Sequence, residues 1–290
     1  METNETRALW EKQAVIAESL KDFVEVVRPL APDSRVPESG EYWYRGQTNA
    51  KWGLETSFHR MTRHLAAHSD EAIRLEDEAR QEFMSKAHLF IDPGSMDKVR
   101  TIPCWWALMQ HHGAPTRLLD WSASPYVAAY FAAHQDGTDG DGAIWCFCHR
   151  RLRSAFVREY KSEPPDLTRT EAEDPAVKQL HAALLNPFAE PSMLPLEFRF
   201  FSSPRMAEQQ GRFTVCLRVD QDHTCIAAKI DPTHLKQIII PHKAKPDFLS
   251  ELRRMNITAA ALFPGVDGLG RSIAELTSLG VRHAAAARRA

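Results

Sequence analysis

Gly211-Arg212-Phe213-Thr214-Val215-Cys216-Leu217-Arg218-Val219 places an apolar side chain at every second position from Phe213 to Val219. A period of two marks a strand with one face buried. Downstream, Cys225 to Ile230 and Gln237 to Ile240 are further apolar runs that read as strands. Upstream the period lengthens. Residues 70 to 91, rich in Glu, Ala, Arg and Leu and stopping before Pro93-Gly94, predict a helix. Cys104 to His112 predicts a shorter one, closed by Gly113 in the left-handed position that ends a helix. Ser19-Leu20-Lys21-Asp22 resembles a capping box ahead of Phe23, Val24, Val26 and Val27. Asp174-Pro175 supplies a cap followed by proline at the first helical position. Ser122 is expected to cap a helix carrying Tyr126, Ala129, Tyr130 and Ala133 on one face.

Two earlier strands are expected: Glu41 to Tyr44, stopping at Arg45-Gly46 after a turn around Pro37 to Gly40, and Ala143 to Phe147 after the loop Asp136 to Gly142. Late helices are expected over Pro246 to Met255 and Leu269 to Leu279, the last capped by Asp267 and ended by Gly280. Helices thus gather mainly in the first two thirds and strands mainly in the last. That segregation predicts an α+β fold, with the helices packed on a mostly antiparallel sheet. Residues 1–283 are expected to form a single domain, and 284–290 a disordered tail.

Bulk composition narrows the function classes. The 36 Lys and Arg against 38 Asp and Glu give a net charge of −2, so no general attraction to nucleic acid or anionic membrane follows. No stretch approaches the roughly 18–20 apolar residues that a membrane span needs, and Met1-Glu2-Thr3-Asn4-Glu5 does not read as a secretory signal. The five cysteines are expected to be buried and reduced, with Cys146 and Cys148 on one side of a strand, which makes the cytoplasm the expected compartment. His111-His112 cannot serve one metal from a regular helix, since successive side chains point about 100° apart. No other His, Cys, Asp and Glu set has metal-ligand spacing in the sequence, so no metal is expected.

Three stretches carry candidate chemistry. In Tyr44-Arg45-Gly46-Gln47 an arginine ends a strand and glycine lets a ligand approach the backbone; the arginine suits a phosphate or carboxylate, or pairs with a neighbouring Asp. In Gln110-His111-His112-Gly113-Ala114-Pro115-Thr116-Arg117-Leu118-Leu119-Asp120-Trp121, a histidine can act as a base. There Arg117 and Asp120 either line a cleft or pair to brace the turn. In Arg205 to Phe213, Glu208, Gln209 and Gln210 stand where a sheet begins, as ligand-orienting groups or as a polar turn.

At these stretches the sequence resembles the FRG domain, named for a Phe/Tyr-Arg-Gly motif that Tyr44-Arg45-Gly46 matches. The central stretch through Ala128 and Phe131-Ala132, the set Arg205, Gln209, Gly211 and Phe213, and Leu262-Phe263-Pro264-Gly265 with Asp267-Gly268-Leu269 extend the resemblance over about residues 20 to 279. His112 stands where the family more often has an aromatic residue, which favours His111. Some features are similar, more distantly, to ADP-ribosyltransferases. That similarity implies an ADP-ribosyltransferase-like fold and NAD as substrate, in a toxin or phage-defence effector. Arg45 and Arg117 would hold the pyrophosphate, Tyr44 or Trp121 would stack on the nicotinamide, and Gly46, Gln47, Thr116 and Asp120 would complete the cofactor site. Gln209 or Glu208 would meet the ribose, and His111 would orient it or activate the acceptor. No Glu-x-Glu or Gln-x-Glu pair occurs at that strand. The alternative is a non-catalytic sensor that binds a nucleotide or a partner in the same pocket.

Overall fold

The computed structural model describes residues 14–31, 41–65, 68–134, 140–161, 163–190, 192–196, 198, 203–230 and 235–287. The expected turn over Pro37 to Gly40 and most of the loop Asp136 to Gly142 lie outside them.

Among the described residues, seven strands form one sheet: β1 (Val15–Ile16), β2 (Tyr42–Gln47), β3 (Leu118–Ser122), β4 (Gly142–Cys148), β5 (Met193–Leu196), β6 (Gly211–Cys216) and β7 (Lys236–Ile240). Their order is β1-β7-β4-β2-β3-β6-β5. Only β1 and β7 run parallel; every other neighbouring pair is antiparallel. The fold is therefore α+β with a mostly antiparallel open sheet, as expected, but the elements are not segregated along the chain: β1 to β4 begin in its first half, and α9 to α13 follow residue 203.

The helices are α1 (Leu20–Val27), α2 (Ser57–Thr62), α3 (Ser69–Ala87), α4 (Pro93–Met96), α5 (Ile102–His111), α6 (Pro125–Ala133), α7 (His149–Tyr160), α8 (Pro175–Leu184), α9 (Pro204–Glu208), α10 (His223–Ile230), α11 (Lys245–Arg254), α12 (Ala259–Leu262) and α13 (Val266–Ala287). Local chemistry sets many of their ends. Ser19 Oγ accepts the Asp22 amide at 3.1 Å at the start of α1, and Asp174 accepts the Ala176 amide at 2.9 Å ahead of Pro175. Gly113, just past α5, takes φ +87°, a conformation that a Cβ disfavours.

Four expectations change. Leu118 to Ser122, where no strand is expected, forms one, and β3 is covered on both faces, so its Leu-Leu-Asp-Trp-Ser pattern does not alternate cleanly. Ser122 lies on that strand, and Ser124 caps α6, its Oγ accepting the Val127 amide at 3.3 Å. Cys225 to Ile230 is helical in α10, where Asp222 Oδ1 accepts the Cys225 amide at 2.8 Å. A short apolar run does not separate strand from helix by periodicity. Finally, α13 begins at Val266, with Asp267 inside its first turn, and runs through Gly280 to Ala287. Glycine lowers helix stability but stops a helix only where the chain turns left-handed.

The sheet divides its core unevenly. On one face, α1, α6, α11 and α12 cover Tyr44, Ile144, Cys146, Ile238 and Ile240, while α5 and α8 cover Leu118, Leu194, Phe213 and Val215. These are two separate apolar clusters. On the other face one cluster joins both halves through Trp43, Leu119, Trp121, Trp145, Phe147, Met193 and Cys216. The seam between the two separate clusters runs along β2 and β3, which pair only at Tyr44 and Ser122.

Candidate functional site

A cleft of about 300 Å³ lies on that seam. Tyr44, Arg45 and Gly46 of β2, Asp120 to Ser122 of β3 and Gly211 and Phe213 of β6 supply its strand residues. Ala107, Gln110 and His111 of α5, Ala128 and Phe131 of α6, and Arg205, Met206 and Gln209 at α9 supply the rest. Strand alternation puts Arg45 on the same side as Trp43 and Gln47, yet it lines the cleft because β2 and β3 part beyond Tyr44. Its Nη1 donates to the Asp120 carbonyl at 2.8 Å, in place of a ladder bond. The Asp120 carboxylate is 3.9 Å from the same nitrogen, too far to be held by it.

Asp120 is the acid of the cleft. Protein surrounds it on several sides although 60 % of its side chain meets cleft solvent. Desolvation raises its pKa, while Arg45, the Gln110 amide and Arg205 pull it back down. Gln110 is oriented from behind, since Thr116 Oγ1 donates to its side-chain oxygen and turns the amide nitrogens away from Thr116. Burial lowers the pKa of His111, and the charges of His112 and Arg205 act in the same direction. Its imidazole is therefore neutral at neutral pH and able to take a proton. Ser203 Oγ lies 3.5 Å from His111 Nδ1. Arg205 lies over the Phe263 ring at 4.8 Å, which fixes the guanidinium by its flat face and leaves its edge donors free for a ligand.

The structure thus brings together Tyr44, Arg45, Gly46, His111, Asp120, Trp121 and Gln209 from the expected set. Others stand elsewhere. Arg117 is 3 % exposed; it donates to Glu76 at 2.7 Å, to the Leu217 carbonyl at 3.0 Å and to the Leu184 carbonyl at 2.9 Å, and stacks on Trp106. It does not reach the cleft and does not pair with Asp120. Gln47 bonds Gly53 and Trp145 on the opposite side of the sheet. Thr116 is fully buried and acts only through Gln110. Glu208 is exposed on α9, outside the lining, so it cannot meet a ribose in the cleft. Glu208 and Gln209 sit on a helix and the turn after it, not on a strand.

Two roles also change. Trp121 is 4 % exposed and gives its indole N–H to Thr214 Oγ1 at 2.8 Å, with its ring edge-on to Phe147. No free face remains for a nicotinamide. At Gly46 a Cβ would meet the Ala128 carbonyl at 1.9 Å, so this glycine admits helix α6 against β2 rather than a ligand. Gln209 Nε2 donates to the Leu262 carbonyl at 2.9 Å, which leaves its Oε1 to face a ligand.

Arg205 and Phe131 were absent from the expected site. The signal for Arg205 was present in its place ahead of Gln209 and Phe213. Phe131 belongs to the stretch that resembles the family, but only the fold shows which face of an all-apolar helix borders a cleft.

Residues 40–140 match the family model of the FRG domain. The matched stretch, under half of the chain, holds β2, α5, β3 and α6, hence the cleft's Arg45, His111 and Asp120. Arg205, Gln209 and Phe213 lie beyond it and complete the cleft from the C-terminal side. No curated protein and no solved structure matches the chain. No helix among the described residues is long and apolar enough to cross a membrane.

Proposed function

We propose that the cleft binds NAD and transfers its ADP-ribosyl group, with Asp120 rather than Glu208 or Gln209 as the carboxylate of the reaction. The observation that carries this reading is the position of Asp120: a cleft carboxylate within reach of Arg45, Gln110 and Arg205, with the neutral His111 beside them. Arg205, with Arg45 behind it, takes the pyrophosphate, because a planar guanidinium matches phosphate oxygens two at a time. Phe131 offers an apolar wall to the nicotinamide. The volume of about 300 Å³ is at the lower end of ligand pockets, so it encloses the nicotinamide-ribose half and leaves the adenosine at the mouth.

The chemistry balances on these groups. The bond between the nicotinamide nitrogen and the ribose anomeric carbon breaks, and its electron pair leaves with neutral nicotinamide. Asp120 stabilises the positive charge that develops on the sugar. An acceptor oxygen or nitrogen then bonds to that carbon, and His111 takes the acceptor's proton. An effector of this kind, whether toxin or phage-defence protein, acts by spending NAD on a target.

Incubation with NAD labelled in the adenylate half tests the reading: label transfer or nicotinamide release is expected, with NAD binding weakened at least about tenfold by Arg205→Ala. Binding without release would favour the sensor, a reading motivated by the absent strand glutamate and the commitment of the Gln209 amide to Leu262. No binding at all would sink both.

The pH profile gives a further expectation. A depressed His111 pKa keeps the base neutral below the ordinary value, so activity persists under pH 6.5 and falls only as pH drops through the lowered pKa. His111→Gln should leave a slower rate whose acid limb is shifted, because it is then set by protonation of Asp120 alone. An acid limb above pH 6.5, or one unchanged in the variant, would contradict the assignment.

A further inference from the structure

We infer that the chain holds a divalent transition-metal ion at Glu55, His59 and Asp222, on a part of the molecule separate from the cleft lining. One ligand atom from each of the three lies within 4.8 Å of the other two. The set mixes an imidazole nitrogen with two carboxylate oxygens, a donor combination suited to zinc and its first-row neighbours. Ligands on one tetrahedral zinc stand about 3.4 Å apart, so small side-chain rotations close the site.

The local structure prepares these groups. Glu55 precedes the Thr56 cap of α2, and the Thr56 hydroxyl accepts the His59 amide at 3.1 Å, which fixes the first turn that carries both ligands. Asp222 precedes α10 and uses Oδ1 to accept the Cys225 amide at 2.8 Å, leaving its second oxygen for a metal. Neither the Glu55 carboxylate nor the His59 ring makes a hydrogen bond or ion pair among the described residues, although all three residues are half-buried. The neighbouring Asp220 is not available in the same way, being paired with Arg218.

The position gives the ion a structural role. Glu55 and His59 follow β2, on one side of the seam, and Asp222 follows β6, on the other. An ion bridging them clamps the two halves of the sheet together where β2 and β3 share a single paired position. The inference stands apart from the proposed NAD chemistry, and its test does not read catalysis.

Chelator-treated full chain titrated with Zn²⁺ in a calorimeter should bind one equivalent, and the ion should raise the midpoint of thermal unfolding. His59→Gln and Asp222→Asn should each weaken binding at least tenfold and abolish the thermal shift. Asn can still accept the Cys225 amide, so the cap survives. Glu55→Gln, at a side chain with no hydrogen bond to lose, should behave likewise and decides the matter if either other variant fails to fold. Absence of Zn²⁺ binding, or binding undiminished in Glu55→Gln and His59→Gln, would overturn the site.

Discussion

Arg117→Ala is expected to destabilise the folded chain by about 3–5 kcal/mol, the cost of leaving one member of a buried ion pair without the other. Arg117 and Glu76 have side chains 4 % and 3 % exposed, and they bond directly. Burial pushes the Glu76 carboxyl up from its ordinary pKa, and Arg117 is what holds it down. The same guanidinium satisfies the Leu184 and Leu217 carbonyls, so the truncation also leaves buried acceptors unpaired. One side chain thereby ties α3, α8, the start of β3 and the end of β6 together. Urea unfolding followed by circular dichroism measures the loss; a change below about 1 kcal/mol would mean that the pair is only a surface-grade contact. Because Arg117 does not touch the cleft, the fraction that remains folded should bind ligand with unchanged affinity.

Gly46→Ala is expected to cost at least about 3 kcal/mol, at the upper end for overpacking a core. The added Cβ meets backbone on two sides, the Ala128 carbonyl at 1.9 Å and the Ala132 amide nitrogen at 2.7 Å. Neither can rotate aside as a side-chain tip could. Relief requires α6 to lift from β2, and α6 carries Phe131 on the cleft wall. Stability and ligand affinity should therefore fall together, which separates this variant from Arg117→Ala. Thermal unfolding and equilibrium ligand binding on the same sample check it, and a fully stable variant would show that the helix does not rest where described.

Much of the architecture was legible because it depends on local chemistry. The Ser19 and Asp174 caps, the left-handed Gly113 and the alternation from Phe213 each depend on neighbours a few residues away. What escaped depended on distant partners. Strand β3 reads poorly because Leu118, Leu119 and Trp121 are buried on both faces, and α10 because a short, mostly apolar run fits either structure. The same division holds in the site. Arg45, Arg117 and Asp120 stand out in the sequence as chemistry-bearing groups, but the partner of Arg117 does not, since Glu76 lies 41 residues away along the chain. The glycine of the Tyr-Arg-Gly motif suggests room for a ligand, and it makes room for a helix. Glu55, His59 and Asp222 show no metal-ligand pattern in the sequence because Asp222 comes from the other half of the sheet, more than 160 residues along the chain.

The proposed ADP-ribosyl transfer from NAD depends on Asp120, at the seam between the sheet halves, as its carboxylate. Nicotinamide release by the wild-type chain and by Asp120→Asn, compared after circular dichroism has shown both to be folded, tests it most directly. Turnover by the wild type is expected, with a fall of about a hundred- to a thousand-fold in the variant, the range for losing one preorganised electrostatic group. Equal rates in the two proteins would contradict it.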